Sequence, residues 1–271
     1  MSMNTTAPNI SLAFLMTLLA GLATGIGSFA ALAGKGENKT FLSCAMGFSA
    51  GVMIYISLVE LLGIADKGLS TLYGARTGAA LAAGAFFAGM IVIGVIDRLV
   101  PDYENPHETH DEADFSSPQV QNSLMKMGLL SAAAIAIHNF PEGFATFAAA
   151  LADPKLGLST TVAIAIHNIP EGIAVSVPIY YATKSRKKAF WLSFLSGLAE
   201  PLGAAIGYLF LRGSMTPLTL GLSFGFIAGI MVFISFDEML PAAHKYGKHH
   251  TALYSLAAGM FVMAASLILF K

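Results

Sequence analysis

Two short segments carry the reactive side chains of this sequence. His138-Asn139-Phe-Pro141-Glu142-Gly143 returns as His167-Asn168-Ile-Pro170-Glu171-Gly172, and Ile-Ala-Ile precedes both copies. His and Glu four residues apart, and Asn and Glu three apart, share one face of a helix. Imidazole nitrogen with carboxylate and amide oxygen is a donor set for Zn²⁺, Fe²⁺, Mn²⁺, Co²⁺ or Cd²⁺. Cys44 is the single cysteine, so there is no disulfide framework and no thiolate site, and Cu⁺ is disfavoured. Pro141 and Pro170 lack an N–H, which frees the carbonyls of Ile137 and Ile166 and predicts a kink in each helix. A freed carbonyl beside a cavity can coordinate a cation or a water. Buried His and Asn ordinarily hydrogen-bond across helices. Duplication of the whole motif in mid-span favours function instead, because ionisable groups in a bilayer are costly unless paired or facing a cavity.

The elements that must hold these residues follow from composition. Charged residues are 11% of the 271, against roughly 25% in a soluble globular protein. Hydrophobic residues are 55% and the mean hydropathy is +0.68, so the chain lacks the charge to cover a soluble surface. The 15 basic and 16 acidic residues leave no electrostatic footprint for nucleic acid. The sequence predicts an all-α integral membrane protein in a lipid bilayer. Eight apolar segments are marked, at about 10–34, 41–63, 78–100, 124–151, 157–181, 189–211, 217–240 and 251–270, each near the ~20 residues a spanning helix needs. They form one transmembrane domain over 1–271. A variable acidic, His-containing loop at about 101–123 is expected to be disordered. No Lys or Arg precedes Lys35, so the first segment is expected to be a retained span.

Loop charges predict orientation, because Lys and Arg collect on the cytoplasmic side. With both termini outside, the cytoplasmic loops hold Lys35, Lys39, Arg98, Lys126, Lys184, Arg186, Lys187, Lys188, Lys245 and Lys248. The outside keeps Lys67, Arg76, Lys155, Arg212 and Lys271. The sequence thus reads as a multi-pass protein of the cytoplasmic (inner) membrane with both termini extracytoplasmic.

A second, longer repeat sets the architecture. The sixteen residues from Gly47 to Leu62 match those from Gly225 to Leu240, including Gly51 with Gly229, Met53 with Met231, Ser57 with Ser235 and Glu60 with Glu238. Gly21-Leu22-Ala23 matches Gly197-Leu198-Ala199 at nearly the same offset. Segments 1 and 2 therefore align with 6 and 7, five spans apart. An odd number of spans inverts the second copy, a hallmark of secondary transporters. The two motif spans lie between the halves, which predicts a 3+2+3 arrangement with an inverted repeat of helices 1–3 and 6–8.

Other polar residues extend the candidate list. Glu200, beside Pro201, adds a third mid-membrane carboxylate, and its repeat counterpart is Thr24. Three glutamates with two histidines could hold one or two divalent ions. Their ligand atoms must lose protons to bind, so uptake should weaken at low pH. Glu60 is placed near the outer end of segment 2, and Asp237 and Glu238 near the inner end of segment 7. They could be entry and exit stations, or interfacial carboxylates that reach water. Met53 and Ser57 could face the path, although Met is more often packing. His107, His110, His244, His249 and His250 are placed in cytoplasmic loops, where they could collect released metal or be solvated loop residues.

The duplicated motif, the eight spans, the variable third loop, Ser196-Gly-Leu-Ala-Glu200-Pro and Asp237-Glu238-Met-Leu-Pro241 resemble the ZIP (Zrt/Irt-like) metal transporters over nearly the whole chain. The resemblance implies uptake of divalent metal, most of all zinc, into the cytoplasm, with the ion as substrate and no organic cofactor. It implies a 3+2+3 bundle with a metal centre between spans 4, 5 and 6. His138, Asn139 and Glu142 match its fourth-span ligands, His167, Asn168 and Glu171 its fifth-span ligands, and Glu200 its sixth. Relatives vary at the positions of His167 and Asn168, so ligand number and metal preference are not carried over. Met53 is the nearest match to a second-span ligand of some relatives. Two other functions stay open at this point. An intramembrane metalloenzyme needs a general base beside the metal, and the His-Glu-x-x-His signature is absent. A carboxylate-lined proton channel could use the imidazoles as relays. A homodimer stays open as the assembly.

Overall fold

The computed structural model describes residues 9–33, 39–99, 118–211 and 216–269. Among them every regular element is a helix. In chain order these are α1 (Ile10–Ala33), α2 (Lys39–Tyr55), π1 (Ile56–Leu61), α3 (Leu62–Tyr73), α4 (Ala75–Leu99), α5 (Pro118–Ala152), α6 (Pro154–Thr183), α7 (Arg186–Gly197), α8 (Ala199–Leu211), α9 (Pro217–Ile234), π2 (Ser235–Met239), α10 (Leu240–Tyr246) and α11 (His249–Leu269). Seven helical stretches among the described residues are long and apolar enough to cross a membrane. The 35-residue α5 occupies the remaining expected segment. The chain is an all-helical, multi-pass membrane protein.

Three boundaries differ from the sequence reading. The second span continues through π1 and α3 to Tyr73 instead of ending near 63. Asp66 and Lys67 end the apolar run, yet Ala65 and Leu69 stay buried. A helix can be polar on one side while its i, i+4 face remains packed. The seventh span likewise runs on through π2 and α10 to Tyr246. α5 starts at Pro118, inside the expected third loop, and proline is well suited to a first helical turn. The sixth span is interrupted at Leu198, between α7 and α8.

Helix caps set the tight turns. The Asp153 carboxylate accepts from the Lys155 N–H (2.7 Å) and the Leu156 N–H (3.3 Å), with Pro154 opening α6. This is an N-cap followed by proline at N1. α5 and α6 thus fold back on each other through one residue. Lys184, in a left-handed conformation (φ 51°), ends α6, and Ser185 caps α7 by accepting from the Lys188 N–H (3.3 Å).

The helices pack in two groups. α1 lies along α6, and α5 along α6 and α8, with α7 against α1, α5 and α6. α2 lies along α11, and α4 along α9, with α3 against both α4 and α9. The groups meet mainly where α2 reaches α6 and where α5 reaches α9. Small residues allow the backbones to approach, as membrane packing requires. Gly51 on α2 backs onto the Leu256 carbonyl of α11, and its repeat partner Gly229 on α9 backs onto the Phe86 carbonyl of α4. Gly21 and Gly197 each face the other's carbonyl. π1 and π2 also occupy aligned positions, with the Leu62 N–H donating to the Ser57 carbonyl and the Leu240 N–H to the Ser235 carbonyl.

Candidate metal centre

The α5–α6 hairpin puts both motifs at one depth, because His138 lies nearly as far before Asp153 as His167 lies after it. Both helices continue through Pro141 and Pro170. Asn139, Glu142, His167, Asn168, Glu171 and Glu200 are fully buried. His167 Nε2 lies 3.2 Å from Glu142 Oε1 and 3.3 Å from Oε2. The Asn168 amide donates to the Ala20 carbonyl of α1 (2.9 Å) and to Glu200 Oε1. The Asn139 amide donates to the Ser196 carbonyl of α7 (3.3 Å). Ala20 and Ser196 precede Gly21 and Gly197, so the two asparagines hold repeat-related points of the backbone.

Each asparagine thus commits its N–H groups to a neighbouring helix and keeps its oxygen for something else. Asn139 Oδ1, Asn168 Oδ1 and Glu200 Oε2 are buried without a hydrogen-bond partner. Such oxygens are expensive to leave unmet. Glu200 lies within electrostatic reach of Glu142 and Glu171. Converging carboxyl groups with unmet oxygens suit a divalent cation. Among the described residues, no three of His, Cys, Asp and Glu stand close enough together to enclose an ion. The side chain of His138 lies outside the described ones.

Glycines bring the backbones of the centre together. A β-carbon at Gly143 would collide with the Glu200 carbonyl, and one at Gly172 with the Thr24 carbonyl. Thr24 was aligned with Glu200 from sequence, and the two positions make the same backbone contact to successive motifs. Several supporting groups carried no sequence signal of their own. The Ser49 hydroxyl donates to the His167 carbonyl (3.3 Å), and Thr146 to the Glu142 carbonyl (3.1 Å). Ser28 and Ser193 lie 2.5 Å apart, and each hydroxyl is 3.1 Å from the Gly172 carbonyl. Their acceptors are backbone atoms, which no residue-type pattern marks.

The remaining candidates are distributed elsewhere. Met53 and Ser57 are fully buried on α2 and π1. Glu60 lies within π1 and Asp237 within π2, so neither carboxylate sits at a helix end as expected. The reason is the continuation of both spans through α3 and α10. Glu238 is in π2, and its side chain lies outside the described ones. His244 lies in α10, and His249 and His250 open α11, so these three are helical rather than in a loop. Only Gly247 and Lys248 separate the two helices. His244 stacks on His249 with ring centres 5.0 Å apart, and His249 meets His250 edge-on at 5.5 Å. His107 and His110 lie outside the described residues.

The fold is a helical membrane bundle that buries a cluster of carboxylate, imidazole and amide side chains. The family model described as ZIP Zinc transporter matches residues 97–267, and the chain belongs to that family. Its known members are transporters, which removes the intramembrane enzyme from consideration. Curated relatives are similar over nearly the full length. The zinc transporter ZupT of Chlorobium chlorochromatii is 55% identical, covering 97% of this chain and 98% of that protein. ZupT of Chlorobaculum parvum is 57% identical over the same shares. ZupT of Streptococcus mutans is 56% identical, covering 95% and 97%.

Proposed function

We propose that the chain imports zinc across the cytoplasmic membrane into the cytoplasm, through the centre built by His138, Asn139, Glu142, His167, Asn168, Glu171 and Glu200. The observation that carries this reading is the trio of partnerless oxygens, Asn139 Oδ1, Asn168 Oδ1 and Glu200 Oε2, buried beside the Glu142–His167 contact. An incoming divalent ion would exchange its water shell for these oxygens, the imidazole nitrogens and the remaining carboxylates. Fe²⁺, Mn²⁺, Co²⁺ and Cd²⁺ accept the same donors. In this reading Met53, Ser57, Glu60, Asp237 and Glu238 serve the path of the ion, and the histidines at the α10–α11 turn, with His107 and His110, receive metal on the cytoplasmic side.

Transport proceeds by alternating access in a single 3+2+3 domain with both termini outside. The repeat-related glycine contacts and the aligned π1 and π2 support two inverted halves. The two packing groups then move against each other, opening the buried centre on α5, α6 and α8 to each side in turn. Competition between metal and protons for the ligand atoms makes uptake fall as pH falls. Uptake by zinc-starved cells is the test. Glu142→Ala and Glu171→Ala, expressed at the level of the parent protein, abolish uptake under this reading. Normal uptake in either variant removes the centre from the mechanism. Proton flux without zinc in liposomes would favour the channel instead.

A further inference from the structure

An apolar cleft of about 540 Å³ opens between α4 and α9 on one side and α5 and α8 on the other. Phe140, Pro141 and Phe144 form one wall, next to Glu142 in sequence, so the cleft shares the depth of the buried centre. Gly207 completes that side, and Ser223 and Phe226 of α9 lie opposite. Leu202 and Leu209, one turn either side of the α8 wall, are among the exposed apolar residues. The mouth therefore opens on the lipid-facing surface.

The lining excludes a metal route. Ser223 supplies the single polar side chain among the lining residues, and a divalent ion stripped of water needs several nitrogen or oxygen donors. Water gains little there, because it needs two to four polar partners to occupy a buried space. The volume falls in the range of about 300–1,000 Å³ usual for small-molecule sites. At this depth the surrounding medium is hydrocarbon.

The repeat makes the cleft more informative. Its counterpart seam is the meeting of α2 with α6, which is closed. There Ser49 bonds to the His167 carbonyl. Ile227, aligned with Ser49 by the long repeat, lines the cleft instead. One seam is packed and its partner is parted at the same level.

We propose that this cleft is a binding site for a phospholipid acyl chain, which wedges α5 and α8 away from α4 and α9. The chain lies beside Phe140 and Phe226 and stabilises the arrangement in which the α2–α6 seam is closed. Its lodging rests only on the membrane embedding. Its effect on transport rests on the two-group motion proposed above.

Photolabelling separates the two. The full-length protein is reconstituted in liposomes containing phosphatidylcholine with a mid-chain diazirine, illuminated and mapped by peptide mass spectrometry. Phe261, 74% exposed on α11, reports ordinary contact with the bilayer and confirms insertion. The expected result is labelling at Phe140, Phe144 or Phe226 as well as at Phe261. Ser223→Phe, which fills the cleft from α9, abolishes the cleft labels and leaves that at Phe261. Ala85→Leu fills it from α4 and should do the same, which covers a folding failure of the first variant. Labelled Phe261 with unlabelled cleft residues, or cleft labels unchanged in both variants, overturns the proposal. Neither outcome depends on zinc movement, so the transport reading stands or falls separately.

Discussion

At the residue scale, the asparagines explain more than the motif spacing does. Asn139 and Asn168 each join their helix to a backbone carbonyl of a crossing span and keep an oxygen unmet. Asn168→Ala removes the links to Ala20 and Glu200 together with one candidate ligand oxygen. It should lower zinc affinity by about 10–100-fold, the usual range for a supporting contact of a metal site, measured by uptake at graded zinc concentrations. Ser49→Ala removes one long hydrogen bond and should cost about 0.5–1.5 kcal/mol or less, read as a small drop in melting temperature with transport retained. The duplicated His-Asn-x-Pro-Glu-Gly motif was legible in the sequence because polar residues stand out against an apolar background. Ala20 and Ser196 were not, because they act through carbonyl oxygens that every residue possesses.

At the element scale, close backbone approach fixes where the helices cross. Gly172→Ala would press a methyl group into the Thr24 carbonyl, and overpacking of this kind costs about 1–3 kcal/mol. Gly63→Ala has open space around it and should gain up to about 1 kcal/mol from helix propensity. Thermal melting of both variants in one detergent gives the contrast, with Gly172→Ala lower than the parent and Gly63→Ala not. The seven helical stretches that are long and apolar enough to cross a membrane were readable from hydropathy. Their ends were not, since α3 and α10 carry polar residues on one side while Ala65, Leu69 and Ala243 stay buried. The π turns were also hidden. An i to i−5 bond at Leu62 or Leu240 has no composition of its own, although the long repeat indicated that any such feature would occur twice.

At the scale of the whole molecule, the charge distribution and the repeat make separate commitments. Loop charge alone predicts the positive cluster Lys184, Arg186, Lys187 and Lys188 inside, and Lys155 outside. In a Cys44→Ser background, a membrane-impermeant maleimide applied to intact cells should label Lys155→Cys and spare Lys187→Cys; the reverse pattern would invert the orientation. The two packing groups and the glycine contacts shared by the halves give alternating access a physical basis, but the proposed centre on α5, α6 and α8 carries the claim. It is tested most directly by zinc influx into proteoliposomes loaded with a fluorescent zinc indicator, at matched protein content, comparing the parent with Glu142→Gln/Glu171→Gln. The double variant keeps side-chain volume and removes two carboxylates of the proposed centre, so influx should be abolished, as in the single alanine variants. Influx equal to that of the parent would contradict a transport mechanism that passes through this centre.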